Sequence, residues 1–420
     1  MASTLIYITS TFPYGGITEQ SFIMPELEPL AKEFDRVILV PEHLDSETPM
    51  CPLPKGVETD SRFAKVNGRP SSLASQLKDA IHPKFAAAFI HGGTNMLHYS
   101  RFRSLLSYFS SARRFADFIR KNYLPESGKF TFYTFWCHYC TTAFALIPNA
   151  GKAKIVSRAH GYDIFDHRVT YRSHYLRRQT FKRLTALYPQ SSDGAEYIIG
   201  QYPSVADKIS VRFLGNTRIY HATNPPADSD EITFCTVARF HPVKRLPQTA
   251  TLLGRLAKVH PDKRFRWILI GDGSDRTAIE QEIEQAPSNL TVELRGQMDN
   301  ADIQHLYATC HIDFFLLLSS SEGTPIALCE ALAYGIPIVA SHVGGMPALL
   351  GSEKPGVVAP DGGITIEPSL DSRACLIALK PLIESSDLRC KMRAAALANW
   401  EHNFNASQLR PAFAKLLSGL

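Results

Sequence analysis

The sequence predicts an α/β protein built from two doubly wound, Rossmann-like domains. Short apolar runs alternate with amphipathic segments, glycine-containing turns follow several of these runs, and a polar stretch with two prolines separates two such series. Strands that alternate with helices form a parallel sheet covered by helices. Two lobes of this kind, joined by a linker, would face a central cleft at the carboxyl ends of their strands.

The first series begins with a strand, STLIYITS, a glycine turn, FPYGG, a helix, EQSFIMPELEPLAKEF, and a strand, DRVILVPEH. Residues 71–123 predict helices rich in aromatic residues and arginine, SSLASQLKDAIHPKFAAAFI and RFRSLLSYFSSARRFADFIRK. Two strands follow, KFTFYTFWCHY and AKIVSRAHGYDIF, and then a basic helix, TYRSHYLRRQTFKRLT. We assign residues 1–220 to an N-terminal domain and residues 221–230, HATNPPADSD, to a linker.

The second series alternates more regularly and predicts a C-terminal domain over residues 231–398. Its strands are FCTVARF, RFRWILIGDG, LTVELRG, FFLLLSS and IPIVASH. Helices are predicted between them at PQTATLLGRLAKVH, SDRTAIEQEIEQA and ADIQHLYATC, and after Thr324. Residues 399–420 contain a last amphipathic helix, ASQLRPAFAKLL, which we expect to pack back on the N-terminal domain.

The bulk composition is that of a soluble protein, with 45% hydrophobic and 20% charged residues. No apolar run reaches the roughly 18 residues of a membrane span, and the N-terminus lacks the pattern of a signal peptide. Eight scattered cysteines are consistent with the cytoplasm. Cys137 and Cys140 form one CxxC pair without a second ligand pair, so packed thiols are favoured over a redox pair.

Charge is distributed unequally between the two halves. Residues 1–218 hold 27 Lys/Arg against 18 Asp/Glu, a net of +9, whereas residues 219–420 hold 18 against 22, a net of −4. Residues 101–183 contain 16 Lys/Arg and 4 acids, with arginines interleaved among Phe, Tyr and Leu. This pattern is typical of an interfacial helix, and it predicts docking of the N-terminal lobe on an anionic membrane surface. The alternative is that these arginines only solvate the lobe or pair with acids.

The most informative motif is a pair of carboxylates, Glu322 and Glu330, in SSSEGTPIALCEALAYGIPIVAS. Thr324 is predicted as the N-cap of a helix and Pro325 as its first residue, so Glu322 lies in the loop before the helix. Glu330 lies inside an otherwise apolar helix, where a carboxylate is costly without a polar partner. The loop also offers backbone N–H groups for an anion. Two incidental surface acids are the alternative interpretation.

Basic residues follow another predicted strand in VARFHPVKRL, where Arg239 and Lys244 could neutralise a diphosphate leaving group. RAHGYD places His160 beside a glycine at a strand end, although a single histidine is more often structural. GDGSD, which begins at Gly271, predicts a tight turn at the cleft rim, and FPYGG contains Gly16 where backbone could approach a ligand closely.

Asp228 and Asp230 match an Asp-x-Asp pattern that binds a metal in some sugar transferases, but they fall in the predicted linker. We therefore predict no metal and no cofactor. No nucleic-acid recognition motif is present, and the acidic second half argues against that partner.

Taken together, these segments resemble the retaining, nucleotide-sugar-dependent glycosyltransferases of the glycosyltransferase B fold. The most specific segment is EGTPIALCEALAYGIPIVASHVGG, which resembles the family's E-x7-E signature. VARFHPVKRL resembles the donor-phosphate motif, although Ala238 stands where the family usually has glycine. RAHGYD, FPYGGITEQSFI and YTFW are similar to a bacterial branch that builds surface polysaccharides such as O-antigen, capsule or exopolysaccharide.

The resemblance implies a role for each matched residue. Arg239 and Lys244 would bind the donor diphosphate, and Glu330 would hold the ribose hydroxyls. Glu322 and the backbone of Gly323, Thr324, Pro325 and Ile326 would hold the transferred sugar and the distal phosphate. His160 would face the reacting sugar, Gly16 would let the first loop approach the phosphate, and Gly271 would line the nucleotide. The resemblance also implies that residues 1–220 bind the acceptor and residues 231–398 bind the nucleotide sugar.

The implied activity is transfer of a hexosyl-type sugar to a glycan or lipid-linked oligosaccharide, without a metal, in the cytoplasm or at the inner face of the plasma membrane. The reaction would proceed on one face of the sugar, with the leaving phosphate helping to deprotonate the acceptor. Two rivals remain: a nucleotide-sugar 2-epimerase on the same fold, and a non-catalytic partner subunit that only binds sugar nucleotide or glycan.

Overall fold

The computed structural model describes the chain except residues 1–2, 16, 48, 50, 68–72, 92–96, 125–128, 149–152, 171–173 and 226–230. The chain divides into two compact units. Unit 1 comprises residues 1–212 together with 410–420, and unit 2 comprises residues 213–409. The boundary thus follows Arg212 rather than residue 220. Residues 213–220, which were expected in the N-terminal domain, and residues 221–225 of the expected linker belong to unit 2.

Unit 1 is built on a six-stranded sheet with the order β3-β2-β1-β4-β5-β6, and every pair in it is parallel. Its strands are β1 (Ser3–Thr9), β2 (Arg36–Pro41), β3 (Val57–Thr59), β4 (Lys129–Thr134), β5 (Lys154–Ala159) and β6 (Ala186–Pro189). The central strands are apolar along most of their length because helices cover both faces of such a sheet. In β1, Leu5 to Ile8 are all buried.

The helices of unit 1 are α1 (Ile17–Glu33), α2 (Ala64–Asn67), α3 (Leu73–Ala80), α4 (Pro83–His91), α5 (Tyr99–Asn122), α6 (Tyr139–Leu146), α7 (Gly161–Ile164), α8 (Arg177–Arg183) and α9 (Ser192–Gln201). The segment SSLASQLKDAIHPKFAAAFI, which was expected to be helical, forms two separate helices, α3 and α4, in its described part. The chain leaves helical geometry before Pro83, because proline disfavours the α conformation in the residue that precedes it. The strand expected to include CHY ends at Thr134, and α6 begins at Tyr139.

Unit 2 contains a seven-stranded sheet with the order β12-β13-β11-β10-β7-β8-β9, which is parallel except at the β12–β13 pair. Its strands are β7 (Glu231–Val237), β8 (Arg264–Ile270), β9 (Leu290–Gly296), β10 (Phe314–Leu317), β11 (Ile338–Ser341), β12 (Val358–Ala359) and β13 (Gly363–Ile366). The expected doubly wound α/β class is confirmed for both units.

The helices numbered from unit 2 onward are α10 (Leu246–Val259), α11 (Arg276–Glu284), α12 (Asn300–Thr309), α13 (Ile326–Ala333), α14 (Met346–Leu350), α15 (Ser372–Glu384), α16 (Ser386–Asn399) and α17 (Ala406–Ser418). The sequence did not predict β12, β13 or α14 to α16. Helix α13 begins one residue later than expected, since Pro325 is extended and occupies the N-cap position.

The end of α17 belongs to unit 1, where Phe413 packs on two tyrosine rings. Its ring centroid lies 5.6 Å from that of Tyr133 and 5.3 Å from that of Tyr188. The guanidinium of Arg158, which is fully buried in β5, lies 4.0 Å from the same ring. Arg158 also forms an ion pair with buried Glu26 at 2.6 Å. The C-terminal residues therefore cover a buried charge pair in unit 1.

Among the described residues, no helix combines the length and the apolar character needed to cross a bilayer.

Candidate functional site

Two loops at the carboxyl ends of β7 and β8 pack tightly against each other in unit 2. The Ala238 backbone N–H donates to the carbonyl of Ile270 at 3.0 Å, and that of Phe240 donates to Asp272 at 2.8 Å. Gly271 has a φ of +133°, and a Cβ built there would lie 1.9 Å from the Ala238 carbonyl oxygen. Glycine at position 271 is therefore required for this approach.

The β7 loop continues into a short 3₁₀ turn, Pro242–Lys244, that is held by Arg245. The Arg245 guanidinium donates to the carbonyls of Leu318 at 2.7 Å, Ser319 at 2.8 Å and Pro368 at 2.5 Å. The sequence did not predict this role, because nothing local to Arg245 indicates which carbonyls it meets. Arg239 is exposed and makes no recorded hydrogen bond or ion pair within the described parts of the chain.

Lys244 and Glu322 form the central contact of the site. The Lys244 ammonium forms an ion pair with the Glu322 carboxylate, and the Ser319 hydroxyl donates to that carboxylate at 2.6 Å. The backbone N–H of Ser320 donates to the carbonyl of Val243 at 2.8 Å, so the loops after β7 and β10 are fastened together. Both charged side chains are largely but not fully buried.

The first turn of α13 lies directly after Glu322 in the chain. Its leading N–H groups, at Ile326 and Ala327, have no intrahelical acceptor because the helix begins at Ile326. A Cβ built on Gly323 would meet nothing within 4 Å, so this loop borders open space. Free donors at a helix N-terminus favour an anion there.

Glu330 lies on α13, buried among apolar neighbours, and has a polar partner on α12. The Asn300 side-chain amide donates to its carboxylate at 2.6 Å. Burial raises the pKa of Glu330, and the bond from Asn300 partly offsets that rise. Asn300 in turn accepts a bond from Gln304 at 2.8 Å. The sequence did not predict the role of Asn300, because its partner Glu330 lies 30 positions away along the chain.

His160 lies in unit 1, at the N-cap of α7. Its Nε2 lies 3.0 Å from the carbonyl oxygen of Phe135, and its ring is 4.5 Å from that of Trp136. Asp163 caps the turn by accepting from the backbone N–H groups of His160 and, at 2.6 Å, Cys137. Burial lowers the pKa of His160 to about 3, helped by the positive charge of Arg158. The imidazole is therefore neutral near pH 7.

Glu19 organises the loop after β1, a role that the sequence did not predict. Its carboxylate accepts from the backbone N–H groups of Ser10, Thr11 and Phe12 at 2.9, 2.9 and 3.0 Å. It also accepts from the Trp136 indole at 2.6 Å. The feature of the sequence that could have indicated this role is an acidic residue shortly after a glycine turn. Gly16 itself, like Asp228 and Asp230, lies outside the described residues.

The CxxC cysteines of unit 1 are free thiols. Burial raises the pKa of Cys137 to about 12 and also raises that of Cys140 well above its ordinary value, so both thiols are protonated and unreactive. Among the described residues, the one group of metal-ligating types that lies close together is Glu42, His138 and Cys140, whose ligand atoms are within 4.8 Å of one another.

The site residues are thus divided between the units. Unit 2 brings together the loop residues Arg239, Lys244, Gly271 and Glu322 with helix α13, which contains Glu330. Unit 1 contains His160.

Comparison with known proteins matches residues 221–396 to the model of the glycosyl transferases group 1 family. The chain is 27% identical over 280 residues to WcaL of Escherichia coli (strain K12), which is named as a colanic acid biosynthesis glycosyltransferase. This alignment covers 64% of the chain and 65% of WcaL. Identity to WcaL of Salmonella typhimurium is 30%, over 50% of the chain and 52% of that protein.

Solved structures with the same fold cover nearly the whole chain. The lipopolysaccharide outer core galactosyltransferase WaaB superposes with a TM-score of 0.65 at 17% identity, covering 99% of the chain and all of WaaB. HepE of Anabaena, solved in complex with UDP and glucose, superposes with a TM-score of 0.57 at 16% identity, over 99% of the chain and all of HepE. At these identities the likeness establishes the fold.

The expected fold is confirmed by the two parallel sheets and by the solved structures, and the matched segment and the WcaL proteins support the expected family. Residues 221–396 match the glycosyl transferases group 1 family, and the chain has the glycosyltransferase B fold.

Proposed function

We propose that this chain is a retaining glycosyltransferase, which moves a hexosyl group from a nucleoside diphosphate sugar to a hydroxyl of a lipid-linked glycan. The observation that supports this most strongly is the Lys244–Glu322 ion pair beside the first turn of α13. A cation, a carboxylate and free backbone donors at one place match a phosphate joined to a sugar. The HepE structure holds UDP and glucose, which supports the same ligand class.

Each part of the donor has a proposed partner. Arg239, Lys244 and the N–H groups at the start of α13 bind the diphosphate, because cations and helix N-termini stabilise phosphate charge. Glu322 accepts from hydroxyls of the transferred sugar. Glu330 accepts from the ribose hydroxyls, and Gly271 lets backbone approach the nucleotide. The roles expected of Gly16 and of the neutral His160 imidazole stay predictions.

The reaction breaks the bond between the anomeric carbon and the phosphate oxygen, and forms a bond from that carbon to the acceptor oxygen on the same face. The proton of the acceptor hydroxyl passes to the departing phosphate oxygen. Lys244 and Arg239 stabilise the negative charge that develops on the diphosphate, which is the main electrostatic contribution of the protein.

The proposed acceptor belongs to a surface polysaccharide such as O-antigen, capsule or exopolysaccharide. Two relatives are named for colanic acid and lipopolysaccharide synthesis, which supports this class. The net charge of +9 over residues 1–218 suits an anionic membrane surface, where lipid-linked acceptors reside. Eight free cysteines support a cytoplasmic setting, at the inner face of the plasma membrane.

A panel of nucleotide sugars and lipid-linked acceptors tests the proposal, with the product followed by proton NMR. We expect a product whose new linkage has the anomeric configuration of the donor. A product of inverted configuration would refute the retaining mechanism. Release of a free, epimerised sugar nucleotide would identify an epimerase. Binding of the donor without transfer or hydrolysis across the panel would identify a non-catalytic binding subunit.

Transfer is also proposed to need no divalent metal, because Arg239 and Lys244 supply the positive charge. We expect full activity after treatment with excess EDTA. Loss of activity that only manganese or magnesium restores would contradict this part of the proposal.

A further inference from the structure

An unusual concentration of exposed apolar side chains lies on unit 1. Among the described residues, the five most exposed large hydrophobic side chains all lie between positions 77 and 99. They are Leu77 at 67%, Ile81 at 80%, Ile90 at 75%, Leu97 at 74% and Tyr99 at 75%. Single exposed hydrophobic residues are normal on a soluble protein, whereas a cluster within one short segment indicates an interaction surface. We call these five residues the α3–α5 apolar surface.

Helix α4 is apolar on both of its sides. Phe85 is buried, and its ring packs on Phe102 and Phe109 at 5.8 and 5.5 Å between centroids. The opposite side exposes Pro83, Ala86, Ala87 and Ile90, without one charged residue among them. A helix that is hydrophobic all round normally has both sides covered. Within the described parts of the chain, the outward side of α4 therefore has no partner.

The charges around this surface select the kind of partner. Residues 73–116 contain six Lys/Arg and a single acid, Asp79. Asp79 is buried, and it forms an ion pair with Arg113 and accepts a bond from Ser110. The sole carboxylate of this stretch is therefore neutralised inside the protein, whereas Lys78 and Arg103 are exposed. Apolar side chains bordered by cations match the acyl boundary and anionic headgroups of a membrane.

The two basic helices that the sequence favoured for this role, α5 and α8, contribute buried residues to unit 1. Helix α5 buries Leu105, Phe109 and Phe115 in the core of unit 1. In α8, Arg177 is buried and donates to the carbonyls of Asp163 and, at 2.7 Å, Ile164. Their basic residues thus partly serve the fold, and the exposed apolar area lies on α3, α4 and the start of α5.

We propose that the α3–α5 apolar surface inserts into the interface of an anionic lipid membrane, with Lys78 and Arg103 at the headgroups. This inference rests on the proposed function, because it assumes that the acceptor is lipid-linked. It extends that function by naming the surface that binds the membrane.

The test is co-sedimentation of the full chain with vesicles of phosphatidylcholine alone or mixed with phosphatidylglycerol. The variant Ile81→Ser/Ile90→Ser removes apolar surface without adding charge. The matched control, Val259→Ser/Ile377→Ser, removes two exposed apolar side chains from unit 2, which are 55% and 65% exposed. Thermal melting establishes that each variant is folded, and binding of nucleoside diphosphate on the same samples reports the donor site.

We expect the wild-type chain and the control to bind anionic vesicles, and the Ile81→Ser/Ile90→Ser variant to bind at least about tenfold more weakly. Raising the salt from about 0.1 M to about 1 M should weaken the binding of the wild type, because it screens the headgroup contacts. Equal binding by both variants would overturn the proposal.

Failure of the wild type to bind any vesicle would also overturn it. If the nucleoside diphosphate still bound, the proposed donor site would be kept and only the membrane surface would be refuted. Vesicle binding without nucleotide binding would keep the membrane surface and refute the donor site. A wild-type dimer that Ile81→Ser/Ile90→Ser converts to monomer, without vesicle binding by either, would show that a second copy covers the surface.

Discussion

At the residue scale, the chemistry of unit 2 centres on the lysine and the glutamate that share an ion pair. Without a donor, Glu322 is the counter-ion of Lys244. A diphosphate would compete for the lysine and leave the carboxylate free to accept from sugar hydroxyls. The sequence could predict both residues because each follows a strand in a recognisable segment. It could not predict their contact, which joins residues 78 positions apart.

Replacement of Lys244 tests its proposed role in stabilising the leaving group. We expect Lys244→Ala to lower kcat by about 10²–10³, the usual effect of removing one preorganised charge-stabilising donor. Thermal stability should change little, since the ion pair is partly exposed. Lys258→Ala, which removes an exposed lysine from α10 of the same unit, should keep wild-type kinetics. Equal kinetics for both variants would place the donor phosphate elsewhere.

The protonation of His160 can be measured directly. With a pKa of about 3 in the folded protein, its ring NMR signals should not titrate between pH 5 and pH 8. An unfolded histidine titrates near 6.5, so the unfolded state binds the proton first. The stabilising contribution is therefore complete above about pH 6.5 and is lost as the pH falls toward 3. A ring that titrates near pH 6.5 would mean that it is exposed.

At the element scale, α13 combines an apolar helix with one acid and a free N-terminus. Its existence follows from the local pattern, whereas its first residue depends on the extended conformation of Pro325. The contacts of the loop after β1 could not be predicted from the sequence. Glu19 fastens that loop to Trp136 across 117 positions, and no local pattern reports such a contact.

Removal of the Glu330 carboxylate should weaken nucleotide binding more than it slows chemistry. A hydrogen bond to a charged group contributes about 1.5–3 kcal/mol, so we expect Glu330→Ala to raise the Kd of the nucleoside diphosphate by about 10- to 100-fold. Isothermal titration calorimetry measures this, with Glu280→Ala, a half-exposed glutamate of α11, as the control. An unchanged Kd would show that Glu330 does not bind the ribose hydroxyls.

At the scale of the whole molecule, the C-terminal residues of the chain complete the N-terminal unit. The amphipathic pattern of α17 predicted a helix there and suggested where it packs. It could not indicate that Phe413 covers Arg158, because a buried arginine within a strand has no local signature. The doubly wound class was predictable for a different reason, since alternating strands and helices restrict the chain to few architectures.

Phe413 should therefore contribute strongly to the stability of unit 1. Phe413→Ala removes a buried ring that packs on Tyr133, Tyr188 and Arg158, and large-to-small changes of this kind cost about 3–5 kcal/mol. Chemical denaturation followed by circular dichroism should show the loss. Lys415→Ala, an exposed neighbour on α17, is the control. Similar stabilities for the two variants would mean that the C-terminal residues are not anchored in this way.

Binding of a nucleoside diphosphate sugar by unit 2, between the β7 loop and α13, can be observed in a crystal structure of the full chain with a nucleoside diphosphate or the cognate donor. We expect the distal phosphate at the N–H groups of Ile326 and Ala327, within hydrogen-bonding distance of the Lys244 ammonium. We expect the ribose hydroxyls on the Glu330 carboxylate. A nucleotide bound away from these residues, with the Lys244–Glu322 ion pair unchanged, would contradict this binding mode.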